Sequence, residues 1–208
     1  MNVVVAKLAL VCVSLIIAHL MFISISDAKI DPGNIIGIWL FDEGKGNVTR
    51  DISGNGNDGE LMNDPKWVDG KFGKALEFDW QDDYVNAGDA EILKPTTDVT
   101  FVAWVYWDGG NYVLASGGQT SSTGYAITYN PDTSQIWFGV STGKKSATTG
   151  YIPAPSKKVW HHLAGSYDDS DGELIAYVDG KKYATAKANG SVLENKWPAL
   201  HIGKPNNV

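Results

Sequence analysis

Val159-Trp160-His161-His162-Leu163-Ala164-Gly165-Ser166-Tyr167 leads through the acidic turn Asp168 to Glu173 into Leu174-Ile175-Ala176-Tyr177-Val178-Asp179-Gly180. Apolar residues recur at alternate positions in both runs, and Asp and Gly punctuate them, which is the pattern of half-buried strands joined by tight turns. Asp179-Gly180 supplies residues that tolerate the positive φ of a two-residue primed hairpin, and Lys181-Lys182-Tyr183-Ala184 restarts an extended run behind it. The stretch predicts three antiparallel strands in a meander, with Trp160, Leu163, Tyr167, Ile175 and Tyr177 as its bulky side chains.

Outward from the meander the same grammar continues. Short β-branched and aromatic runs recur between Gly, Asn, Asp and Pro, helical periodicity is missing after residue 28, and no repeat of solenoid or propeller period is visible. The class is therefore all-β, and 208 residues suit one sandwich. Ile35 to Phe41 is apolar on both faces and predicts a strand inside the sandwich. Val99 to Trp107 alternates Phe101, Ala103, Val105 and Trp107 with Val102, Trp104 and Tyr106, which predicts a central strand buried on both sides. Shorter strands are expected at 66–68, 74–78, 112–115, 125–129 and 135–140, and Tyr151 to Pro155 reads as an extended linker.

Met1 to Ala28 is a separate object. Lys7 is its basic flank, Leu8 to Ile25 its apolar run, and Ser26-Asp27-Ala28 its small-residue cleavage site, so it reads as a secretory signal peptide, with an uncleaved membrane anchor as the alternative. The only cysteine, Cys12, lies within it, leaving residues 29–208 without thiol or disulfide, which suits a bacterial exported domain. The domain is expected to be secreted or at the cell surface, with no membrane contact after cleavage. Net charge is −7 and Arg50 is the sole arginine, so a nucleic acid, whose phosphates demand clustered cations, is excluded as a partner.

Asp51-x-Ser53-x-Asn55-Gly56 spaces oxygen side chains at alternate positions before a glycine bend, as the opening half of a calcium loop does. Met62 stands where a closing glutamate would be needed, and the plainer reading is a turn whose Asp and Asn bond their own backbone. Asp42, Glu43 and Asp79 are the carboxylates that other segments could add, completing a candidate structural Ca²⁺ set with Asp51, Ser53 and Asn55. Trp80, in the polar turn 79–83, offers an indole for stacking on a sugar ring, and Tyr125 and Tyr129 share a strand face with Ile127. His161 and His162 point to opposite faces of one strand, so both cannot ligate one metal, and packing or a backbone hydrogen bond is the expected role of each. No Ser-His-Asp arrangement is identifiable in the sequence.

W-H-H-L-A-G-S-Y at 160–167 followed by L-x-x-Y-V-D-G-K at 174–181 resembles the late strands of the laminin-G-like jelly roll of the concanavalin A-like lectin/glucanase superfamily. Gly37 to Gly44, Asp51 to Gly59, Gly73 to Asp79 and Phe101 to Val105 resemble earlier segments of that family in order, so the likeness spans about residues 35 to 205. It implies a two-sheet antiparallel jelly-roll sandwich. It also implies a further strand after Leu200-His201-Ile202-Gly203, so residues 29–208 are expected to lack the last C-terminal strand of the family. The implied role is non-catalytic recognition of a glycan or of a cell-surface or matrix glycoprotein. Two alternatives remain open: a glycoside hydrolase, because Glu77-x-Asp79-x-x-Asp82 approximates the E-x-D-x-x-E strand of retaining glucanases, and a purely architectural module of a larger surface protein.

Overall fold

A computed structural model of the chain describes residues 30–106, 112–116, 124–130, 133–141, 146–187 and 199–203. The expected signal peptide, Trp107 of the expected central strand and the side chain of Tyr129 lie outside the described residues. Two compact units are distinguished, Met1–Asn34 and Ile35–Val208. In the first, the described residues form a single 3-10 turn at Pro32–Asn34, in which the Asn34 amide donates to the Asp31 carbonyl. No helix among the described residues is long and apolar enough to cross a membrane.

The second unit is built of strands. They are β1 (Val48–Thr49), β2 (Gly59–Met62), β3 (Lys66–Asp69), β4 (Lys74–Glu77), β5 (Tyr84–Asn86), β6 (Val99–Tyr106), β7 (Tyr112–Ser116) and β8 (Gly124–Asn130). Then follow β9 (Gln135–Ser141), β10 (Ser146–Thr148), β11 (Ile152–Pro153), β12 (Trp160–Asp168), β13 (Glu173–Val178), β14 (Lys181–Lys187) and β15 (Leu200–Ile202). One sheet runs β1-β2-β5-β15-β7-β8-β9-β10 with β11 also on β9, the other runs β14-β13-β12-β6, and β3 with β4 makes a separate hairpin. All pairings among the described residues are antiparallel, so the predicted all-β, two-sheet sandwich holds.

The meander forms as its sequence requires. β12 pairs β13 with Leu163 opposite Val178, and β13 pairs β14 with Val178 opposite Lys181, so Asp179-Gly180 is the whole loop. Asp179 has φ 50° and Gly180 φ 74°, the two positive dihedrals of a type I′ turn. A bulge between Ala176 and Tyr177 shifts the register along β14.

Alternate residues of the two sheets face each other across one core. Val99, Phe101, Leu163, Tyr167, Leu174, Ala176 and Val178 come from the four-stranded sheet, and Tyr125, Ile127, Ile136, Phe138, Val140 and Leu200 from the other. Phe101 stacks on Tyr125 at 5.3 Å and on Phe138 at 6.2 Å between ring centroids. Gly165 makes room for them, since a Cβ there would stand 2.5 Å from Phe138 and 2.7 Å from Phe101.

Three expectations are corrected. Residues 35–41 do not form an interior strand: Trp39 makes a single bridge to Asp51, and Leu40 is 53% exposed. Side chains of the following loop take up this backbone in place of a ladder, and Phe41 leaves the extended region at φ 58°. β6 is an edge strand, not a central one, and its second face is open to solvent. The 151–155 linker contains a strand, because Ile152 and Pro153 pair with Ile136 and Gln135 beyond the point where β10 ends.

Candidate functional site

Cross-strand partners in an antiparallel pair share a face, so the register of β6 on β12 fixes which residues look outward. Tyr106 lies opposite Trp160, Trp104 opposite His162, Val102 opposite Ala164 and Thr100 opposite Ser166. This is the solvent face: Val102 is 60% exposed, Trp104 44% and Tyr106 47%. Tyr177 and Ile175 continue it on β13, where they stand opposite Ala164 and Ser166. The rings touch in pairs, Tyr106 with Trp160 at 5.6 Å and Trp104 with His162 at 5.2 Å. From the tip of the β3–β4 hairpin, Phe72 meets Trp104 edge-on at 5.6 Å, and the Lys71 ammonium stands 4.4 Å from the Trp104 ring centroid. Such a contact at an exposed site contributes on the order of 0.5–1 kcal/mol. A contiguous aromatic patch of this kind on a regular sheet face marks an interaction surface more than an isolated exposed leucine would. Flat rings bearing N–H and O–H groups at their rims suit a ligand that is apolar on one side and hydroxylated at its edge.

Sequence reading missed this array because both parities of Val99 to Tyr106 are apolar. The discriminating signal was on β12: His162, Ala164 and Ser166 are small or polar on one face, while Leu163 and Tyr167 on the other are large and fully buried.

Among the residues that the sequence did single out, Tyr125 is corrected. It is 6% exposed and stacked on Phe101, because its side of β8 faces the opposing sheet. Trp80 sits half-buried in its turn with φ 65°. That turn is organised by Asp79, whose Oδ1 accepts the amide of Gln81 at 2.8 Å and those of Asp82 and Asp83 at longer range. Hydrogen bonding from the Gln81 amide holds the Asp79 carboxyl below its usual range, whereas burial pushes Asp83 up. β4 ends at Glu77, so Asp79 lies in the turn beyond the strand and not on it beside Glu77.

Among the described residues, no group of three close carboxylates includes Asp42, Glu43 or Asp51. Asp51 Oδ1 accepts the amides of Ile38 and Ser53 at 2.9 Å each, and Oδ2 accepts that of Asn57 at 3.0 Å. Burial works to raise the Asp51 carboxyl, but the Ser53 side chain and these amides outweigh it and hold the group below the usual range. Asn55 donates its side-chain amide to the carbonyls of Ile35 and Ile36 and to Ser53 Oγ. Asp42 Oδ1 accepts the Lys74 amide, and Glu43 Oε1 accepts that of Arg50, while the buried Glu43 Oε2 has no hydrogen-bond partner among the described residues. Asp79 is grouped elsewhere: among the described residues, the three carboxylates with oxygens within 4.8 Å of one another are Asp79, Asp82 and Asp83. The Asp51 loop is thus closed by its own backbone amides, as an Asx-rich turn is.

A constellation not read from the sequence joins Ser156, His161 and Asp179. His161 Nδ1 lies 2.8 Å from Asp179 Oδ2, and Nε2 lies 3.2 Å from Ser156 Oγ and 3.1 Å from the Ser156 carbonyl. Asp179 Oδ1 accepts the His162 amide at 2.9 Å. The imidazole is 7% exposed and has oxygen acceptors at both nitrogens, which makes it a tie between the 154–158 loop and the Asp179 turn. His162 points the other way and joins the aromatic array.

Residues 79–207 match the profile of the concanavalin A-like lectin/glucanases superfamily. A comparison with curated proteins finds no match. Among solved structures, the binding domain of Paraclostridial Mosquitocidal Protein 1 is similar at 14% identity and TM-score 0.62, over 82% of this chain and 44% of that one. Domain 4 of an extracellular arabinanase from Geobacillus stearothermophilus, solved with arabinotriose, is similar at 18% identity and TM-score 0.53, over 74% and 77%. The binding domain of botulinum neurotoxin serotype G is similar at 12% identity and TM-score 0.56, over 76% and 41%. The chain spans less than half the length of the two toxin domains, and at these identities the likeness is one of fold.

Proposed function

The chain belongs to the concanavalin A-like lectin/glucanases superfamily, and on that premise we propose that it is a non-catalytic binding module whose ligand is carbohydrate, free or carried on a surface or matrix glycoprotein. The observation that carries this reading is the row Trp104, Tyr106 and Trp160, large rings held half-open on an otherwise regular sheet face. Pyranose and furanose rings present C–H faces that stack on such side chains while their hydroxyls stay hydrated at the rim. A related domain of this fold was solved with arabinotriose, which supports the fold as a sugar carrier without naming the sugar here. The export peptide and the acidic surface of the chain agree with an extracellular setting.

A glycan array probed with the purified protein tests the reading. Trp104→Ala should weaken binding to the best ligand at least about tenfold, as removal of a central ring anchor does, while Trp80→Ala leaves it within about twofold. A silent array would instead support the architectural role, and loss of binding with Trp80→Ala alone would move the site to the 79–83 turn.

A further inference from the structure

Strands of the four-stranded sheet run antiparallel, so the start of each stands beside the end of the next, and the register sorts their charges into two ends. Around Val99, Asp168 and Glu173 the chain places Asp98, Asp168, Asp169, Asp171 and Glu173, with Lys187 opposite Glu173. Around Tyr106, Trp160 and Val178 it places Lys157, Lys158, Lys181 and Lys182, all exposed. Lys71 joins them from the β3–β4 hairpin, its ammonium 4.4 Å from the Trp104 ring centroid. Among the described residues of these strands and their turns, the carboxylate at the lysine end is Asp179, which is engaged by the His161 ring and the His162 amide. Asp69, near the hairpin tip, is paired with Lys74 at 2.7 Å. Lys182, opposite Tyr177, reaches back toward Glu173 at 3.6 Å.

Trp104, Tyr106 and Trp160 therefore lie at the basic end of a sheet whose other end is acidic. Between the two, the outward residues Thr100, Val102, Ala164 and Ser166 are uncharged. From His162 to Asp168 the strand advances by roughly 20 Å, and charges are screened over about 8 Å at physiological salt. A ligand on the rings is thus governed by the nearby lysines and not by the net charge of −7. We propose that the aromatic row takes an anionic sugar, one bearing a carboxylate or a sulfate, whose ring stacks on an indole while its charge faces the lysines. This rests on the carbohydrate reading and assigns the class of sugar. One exposed ion pair contributes little, so selectivity comes from several ammonium groups acting on a ligand that the rings hold in place.

Calorimetric titration of the purified protein tests it with tetragalacturonate as the carboxylate probe, a chondroitin sulfate tetrasaccharide as the sulfated probe, and galactotetraose as the neutral one. At least one acidic probe should bind at least about tenfold tighter than galactotetraose, and the advantage should fall away in about 0.5 M salt. Which acidic probe binds tells carboxylate from sulfate. The double substitution Lys71→Gln, Lys157→Gln should cut the acidic affinity at least about tenfold, whereas Lys187→Gln, at the acidic end, should leave it within about twofold. Inorganic tripolyphosphate, anionic but ringless, should bind more weakly than the acidic sugar. Three results would each overturn the proposal with the carbohydrate reading intact: galactotetraose binding as tightly as the acids, an acid preference that survives the double substitution, or one lost equally in Lys187→Gln. Tripolyphosphate binding as tightly as the sugars would show bare charge attraction and also overturn it. No binding of any saccharide, with a silent array, would remove both readings together.

Discussion

The inner and outer faces of the four-stranded sheet are drawn from the same strands and are almost equally rich in large apolar side chains. Phe101, Leu163, Tyr167 and Leu174 on one face are closed off by the opposing sheet, while Val102, Trp104 and Tyr106 on the other are left to solvent and Trp160 beside them is half-buried. What separates them is what lies across from each face. Aromatic content by itself does not locate a core, and an aromatic that folding leaves half-open is available for binding.

The sharpest way to break this contrast is truncation on the inner face. Leu163→Ala, at a fully buried position, should cost about 2–5 kcal/mol in urea unfolding. Gly165→Ala should cost about 1–3 kcal/mol, because its methyl group must displace Phe101 or Phe138. Trp104→Ala, on the outer face, should change stability by less than about 1 kcal/mol while removing ligand binding. Equal losses at Leu163 and Trp104 would mean that both faces are structural.

A smaller effect tests the link between the faces. Asp179 bonds the inward imidazole of His161 and the backbone of the outward His162. Burial works to raise its carboxyl, but the His161 hydrogen bond and the His162 amide outweigh burial and hold it below the usual range. A carboxylate lowered in the folded state contributes stability above its unfolded value, and that stability is lost as pH falls through the folded one. Melting midpoints should therefore be level near neutrality and decline below about pH 4. Asp179→Asn, which keeps a residue suited to φ 50°, should flatten part of that acid limb. An unaltered limb would show that other carboxylates govern it.

Strand alternation and turn chemistry made the fold legible. The meander and its Asp179-Gly180 loop follow from local sequence, since each side chain's face is set by parity. Residues 35–41 and β6 were misplaced for a common reason: sequence shows that a strand is apolar on both faces but not whether a neighbour is there to cover both. The Asp51 loop was legible as a turn in which Asp and Asn bond nearby backbone, and Asp51 does accept the amides of Ile38, Ser53 and Asn57. The array at Trp104 and the Ser156–His161–Asp179 tie depend on contacts between segments more than 50 residues apart or across a hairpin, which no local pattern encodes.

The most direct measurement is a titration of the isotope-labelled protein with its best array ligand, followed at the indole N–H resonances. The account predicts that Trp104 and Trp160 shift saturably while Trp39, Trp67 and Trp137 stay in place. Shifts confined to Trp80, or absent from Trp104 at saturation, would contradict it.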